Sequence, residues 1–296
     1  MRRATTVEWM LLTTIVLWAL NLTVSRYILV HGFQPLAYGS VRYGLAALVF
    51  ASLTLAVERS LRISRRHLPL IVAAAAVLYV NQIAFVYALR STTASVLALI
   101  LGATPIFAAC AGLALRTERL SSRFWAGALL SFSGVALVAL GAGGELSGDF
   151  GGVLLGILTA ATWAAYSMLV TPLMRTYSAS RISTVVLSLA WVPLTITGAA
   201  QLQSQDWALG WEIWGLLVFA TIGPLVLTNI LWFRSLDRIG PSRATLAANL
   251  QPFLAAAIAV VLLSETLGLL ELAGGVLIAV GILAARGRGG AAAPGE

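Results

Sequence analysis

Apolar runs of membrane-spanning length are the feature that most narrows what this chain can become. Ten can be read, at 7–29, 35–57, 68–89, 92–115, 123–141, 150–171, 181–201, 211–236, 241–263 and 268–285. A helix needs about 20 mostly apolar residues to cross the hydrocarbon layer of a bilayer. Lipid offers no partner to backbone N–H and C=O groups, so a spanning chain must satisfy them internally, and runs of this length select helices over barrel strands. Composition agrees: 59% of the residues are hydrophobic and 10% charged, with a mean hydropathy of +0.92. That is too little charge to clothe a soluble domain of 296 residues. The sequence therefore predicts an all-α membrane protein of ten transmembrane helices with the lipid bilayer as its surroundings. The opening "MRRATTVEWM" leads into the first run without a small-residue cleavage site, so the first helix is expected to be retained.

A net charge of +8 and a pI near 10.5 raise the question of a nucleic-acid partner. The arginines are scattered between apolar runs rather than gathered in a patch, so orientation in the membrane explains them and no nucleic acid is expected. Arg2 and Arg3, the Arg59, Arg62, Arg65 and Arg66 cluster, and Arg286 and Arg288 all fall on one set of connections. The opposite set keeps only Arg26 and Arg90, beside Glu145, Asp149, Asp206 and Glu212. Positive-inside logic places both termini in the cytoplasm. Cys110 is the single cysteine, so no intramolecular disulfide is available.

The chain also repeats itself. Pro105 and Pro252 lie 147 positions apart, as do Glu118 and Glu265, Leu120 and Leu267, Gly127 and Gly274, and Gly134 and Gly281. Proline and glutamate are scarce here, which gives their shared offset its weight. In the first run of each half, Thr14, Trp18 and Asn21 recur 145 positions later as Thr159, Trp163 and Tyr166. Their i, i+4, i+7 spacing puts each set on one helical face. Gln82 and Phe85 map onto Asn229 and Trp232, and Gly102 onto Asn249, again at 147. Five spans is an odd number, so a second copy enters from the opposite side of the membrane. The expected architecture is two inverted five-helix repeats, residues 1–145 and 146–296, around a central cavity.

The segments "LWALNLTVSRYIL", "PLAYGSVRYGLAALVF" and "YALRSTTASVLALILGATPIFAACAGLALRTERL", with the second-half "LTNILWFRSLDRIGPSRATLAANLQPFLAAAIAVVLLSETL", resemble the EamA-type drug/metabolite transporter superfamily over nearly the whole chain. The resemblance implies ten helices in two inverted repeats and a central substrate cavity. "TWAAYSMLV" further resembles bacterial exporters of aromatic and other neutral amino acids. Such exporters carry aromatic residues just before the proline of the fourth helix, where this chain has Leu101, Gly102, Ala103 and Thr104.

Substrate-binding candidates are polar and aromatic residues set deep in the apolar runs. Trp18, Asn21, Trp163 and Tyr166 come first, because an amide or phenol facing lipid would cost a few kcal/mol. Tyr38, Tyr79, Gln82, Asn229 and Asn249 join them, with interhelical hydrogen bonding as the alternative role. Pro105 and Pro252 would free the carbonyls of Leu101 and Ala248, making helix breaks that bind or gate, or simple packing kinks. Arg42 lies seven residues into the second run, a depth of roughly 10 Å at 1.5 Å per residue. It either snorkels or faces the cavity to attract a carboxylate. Glu118 and Glu265 read as anchors for the helices that follow them.

Absences narrow the chemistry. Glu8, Glu212, Asp237 and Glu271 all sit at span ends, so no mid-membrane carboxylate is available for a cation pump. His31 and His67 fall in or beside connections, leaving the "SFSG" at 131–134 without a base, so no enzyme, cofactor or metal is expected. The reading is an exporter of aromatic and other neutral amino acids, or similar small zwitterions, working by alternating access in a bacterial inner membrane. Nucleosides, nucleotide sugars or drugs are the alternative cargo; a channel is a third reading. A monomer is expected, with a dimer as the alternative.

Overall fold

Prolines and small polar residues set where the helices begin. The protein's structure is a computed structural model that describes residues 6–114, 122–142, 150–239, 248 and 250–285. Among these, every regular element is helical: α1 (Thr6–Val30), α2 (Pro35–Glu58), α3 (Leu68–Ser91), α4 (Ala94–Leu101), α5 (Thr104–Ala114), α6 (Ser122–Ala142) and α7 (Phe150–Val170). The order continues with α8 (Ala179–Thr197), α9 (Ala199–Ser204), α10 (Trp211–Thr221), α11 (Thr228–Ile239), α12 (Gln251–Leu263) and α13 (Leu269–Ala285). Pro35 opens α2, where a missing N–H costs nothing. Thr93 and Ser178 cap α4 and α8, their hydroxyls accepting from Val96 N and Arg181 N.

Among the described residues, seven helical segments are long and apolar enough to cross a membrane, and three more are apolar but shorter: Ala94–Cys110, Gln251–Leu263 and Leu269–Ala284. The fourth apolar run is not continuous. α4 stops at Leu101, Gly102 and Ala103 form a turn, and Thr104 and Pro105 start α5. The eighth run is also interrupted: α10 passes into a wider π turn, Ile222–Leu227, before α11, and Thr228 N–H reaches back five residues to Gly223 O. Pro224 sits inside that turn, a common place for the ladder to slip.

The two halves meet most closely where α6 crosses α13. A methyl group on Gly274 would lie 2.5 Å from the Gly134 carbonyl oxygen, and one on Gly281 would lie 2.5 Å from that of Gly127. Gly127 and Gly274 are repeat partners, as are Gly134 and Gly281. Each contact is thus answered by its exchanged counterpart, which is what a two-fold axis produces. Between them, Ser131 Oγ donates to Ile278 O at 3.2 Å. Those two residues are themselves 147 apart, so the pseudo-axis passes between them. Residue numbers rise along one helix as they fall along the other, so the pair is antiparallel. Other pairings obey the same exchange: α3 packs on α7 as α1 packs on α10 and α11, and α2 lies along α8.

At one end of the bundle Glu265 takes hydrogen bonds from Ala94 N at 2.8 Å, Ser95 N at 2.9 Å and Ser95 Oγ at 2.6 Å. This corrects the expectation for that glutamate. It caps α4 of the opposite repeat, while the start of α13 is held by Glu271, which accepts from Gly268 N. Glu118 and Leu120 lie outside the described residues. At the other end an Arg181–Glu58 ion pair at 2.6 Å ties α8 to α2.

The glycine crossing gives a test. Gly281→Ala inserts a methyl against backbone, and overpacking of this kind costs about 1–3 kcal/mol. Its melting temperature in detergent should fall clearly below that of Gly215→Ala, where no atom beyond the adjoining stretch of its own helix lies within 4 Å of the added methyl. Equal melting of the two variants would contradict the close crossing.

Candidate functional site

Arg42 is the most informative side chain in the interior. It is 4% exposed, and no carboxylate lies within ion-pair distance of it among the described residues. Its Nη2 donates to Asn21 Oδ1 at 2.7 Å and to the Ala220 carbonyl at 3.2 Å. The guanidinium carbon stands 5.8 Å from the centre of the Tyr38 ring, and Nε finds no acceptor. Tyr38 is fully buried, and its hydroxyl meets Ser25 Oγ at 2.7 Å. Of the two readings of Arg42, snorkelling is therefore not what the structure contains.

Ala220 is available for a sequence reason. The α-helical donor to its carbonyl would be the N–H four residues on, and that residue is Pro224. A proline on the second half thus presents an acceptor to an arginine on the first. A buried charge without a counter-ion is expensive unless its donors are bonded, and here one N–H remains unbonded.

The neighbours extend this connection. Trp18, one helical turn from Asn21 on the same face of α1, packs on Trp232 of α11 with ring centres 5.1 Å apart. Asn229, one turn before Trp232, has a buried Oδ1 with no partner. Its repeat counterpart Gln82, 2% exposed, has an Nε2 with no partner. That atom lies 3.5 Å from where a Cβ on Gly39 would be, so Gln82 faces α2 one turn from Arg42. Tyr166 packs against the core, its ring centre 5.5 Å from that of Trp163. Trp163 is itself 44% exposed. Tyr79 packs half-buried against the core.

Other predicted positions are elsewhere or engaged otherwise. The Leu101 carbonyl, free of Pro105, accepts from Thr104 Oγ1 at 2.6 Å. Pro252 lies against Gly102, 3.6 Å from a Cβ built there, so the two proline breaks meet each other. Asn249 lies outside the described residues. Thr14 and Thr159, matched in sequence, each bond back to the carbonyl four residues earlier, on Met10 and Leu155. Sequence reasoning passed over Ser25 and the Ala220 carbonyl. Pro224 was the signal that could have found the latter.

Comparisons with known proteins support this assignment of the fold. The model of the EamA-like transporter family matches residues 5–140 and again 150–286. No curated protein matches. A solved structure described as "Crystal structure of protein" aligns with a TM-score of 0.65 at 20% identity, over 96% of this chain and 97% of its own, which shows a shared fold. The resemblance to the EamA-type superfamily is confirmed. With two family matches that take in both of its halves and several apolar helices of spanning length, the chain is a multi-pass membrane protein that belongs to the EamA-like transporter family.

Proposed function

We propose that the protein exports aromatic and other neutral amino acids, or similar small zwitterions, from the cytoplasm across a bacterial inner membrane. Ten spans and two cytoplasmic termini complete the reading. The three shorter apolar helices serve as spans with the seven longer ones, and the arginine-rich connections face inward. Transport proceeds by alternating access, the two antiparallel halves rocking about a solute held between α1 and α2 on one side and α7, α10 and α11 on the other.

The observation that carries this reading is the bridge between the halves: Trp18 on Trp232, and Asn21 with Arg42 on the Ala220 carbonyl. Aromatic faces, amides and one buried cation suit a small solute with both an apolar part and a charged group. In the described spans the carboxylates stand at helix ends, Glu8 and Glu58 among them, and none sits deep enough to cycle a proton. Export then runs down the gradient of solute accumulated in the cytoplasm.

Counterflow in proteoliposomes tests the reading. Unlabelled neutral amino acid inside the vesicles should accelerate uptake of labelled amino acid, as a carrier requires; indifference to the trans solute would mark a pore. Collapsing the pH gradient should leave downhill flux in place, and complete arrest would reveal a proton site that this reading lacks. Trp163→Ala should lower flux by about tenfold at normal yield, the scale of one lost aromatic contact. Unchanged flux would remove Trp163 from the solute path.

A further inference from the structure

Arg42 does more than sit beside the solute path: its present bonds join one half of the molecule to the other. Asn21 and Arg42 belong to the first repeat, the Ala220 carbonyl to the second. The guanidinium is buried and lacks an acid among the described residues, and its Nε has no acceptor. The Gln82 amide nitrogen, one turn away along the face of α2, is a second buried donor without an acceptor. Two unsatisfied donors in one region are poor design for a structural contact and good design for a ligand that brings lone pairs and negative charge. A carboxylate matches both, since it accepts from Arg in a two-pronged geometry and keeps lone pairs for an amide.

We propose that Arg42 is a carboxylate-operated bolt: the substrate's carboxylate takes the guanidinium, with Gln82 as its second donor, and in doing so releases the Ala220 carbonyl, one of the contacts that join the halves. The proposal rests on the solute lying between the halves and adds the chemical class that Arg42 selects and the contact that binding breaks. Neutral Asn21 and Ala220 O are the resting acceptors because they hold the cation without the attraction of a full negative charge, so an incoming carboxylate displaces them. Pro224 is part of the device. An N–H at that position would satisfy Ala220 O permanently and leave Arg42 unbolted.

The test uses the purified full chain and three probes of one shape: leucine, leucinamide and 4-methylpentanoate. Leucine and 4-methylpentanoate should raise the melting temperature of the wild-type protein, and leucinamide should not. Arg42→Gln should weaken both carboxylates by at least about tenfold, the scale of a charged hydrogen bond, and leave leucinamide unchanged. Arg42→Lys, which keeps the charge and guards against a variant that fails to fold, should retain the order of the probes with weaker binding. Pro224→Ala should tighten leucine by about fivefold, because one competing hydrogen bond is removed. Leucinamide binding as well as leucine, or Arg42→Gln keeping the preference for carboxylates, overturns the proposal. So does weaker leucine binding in Pro224→Ala. Failure of the exporter reading is separable: 4-methylpentanoate binding that depends on Arg42, with no amino-acid counterflow, would keep the bolt and discard that cargo.

Discussion

The backbone approach of α6 to α13 is the constraint on which the rest of the structure depends. At Gly134 and Gly274, and again at Gly127 and Gly281, the helices come so near that a single methyl would collide with a carbonyl oxygen. In lipid there is no hydrophobic gain from pressing apolar helices together, and close packing of small residues takes its place. Because the contact is made by the last helix of each half, and because each glycine meets its partner's counterpart, this crossing places one repeat in opposite sense to the other. The pairings of α3 with α7 and of α1 with α10 and α11 follow from the same relation.

Symmetry, however, stops short of the side chains. Arg42 has no counterpart arginine in the second half's matching run, and the second half offers the Ala220 carbonyl in return. Trp18 is packed on Trp232, whereas Trp163 is left 44% exposed. Two halves with matching helix order but different polar contents favour one arrangement over its inverted counterpart by the contacts present in each. On the proposed function, a solute acts by changing that difference, since a ligand moves an equilibrium only through unequal interaction with the two states.

The helical class, the two-copy organisation and the family were legible in the sequence because each is written in many residues at once. The apolar runs compel helices, and scarce residues at a fixed offset reveal the repeat. Arg42 stood out for the same reason, as a charge inside an apolar run. What escaped were relations between distant backbone groups. Glu265 was assigned to the helix that follows it because sequence shows only neighbours along the chain; in space its carboxylate reaches the first N–H groups of α4. Leu101 O was expected to be free, and the hydroxyl three residues on, Thr104 Oγ1, takes it. The partner of Arg42 is a carbonyl, to which any residue type contributes alike, so only Pro224 marked it.

The central claim is that the halves are one unit inserted in two directions, and the most direct measurement is the sidedness of matched connections. His31 and Thr176 are exposed, lie 145 positions apart, and follow α1 and α7, the first helices of the two halves. In a Cys110→Ser background, His31→Cys and Thr176→Cys are treated in turn with a membrane-impermeant thiol reagent on intact cells. The account predicts that position 31 is labelled from outside and position 176 only after the membrane is opened. Labelling of both positions from the same side would contradict it.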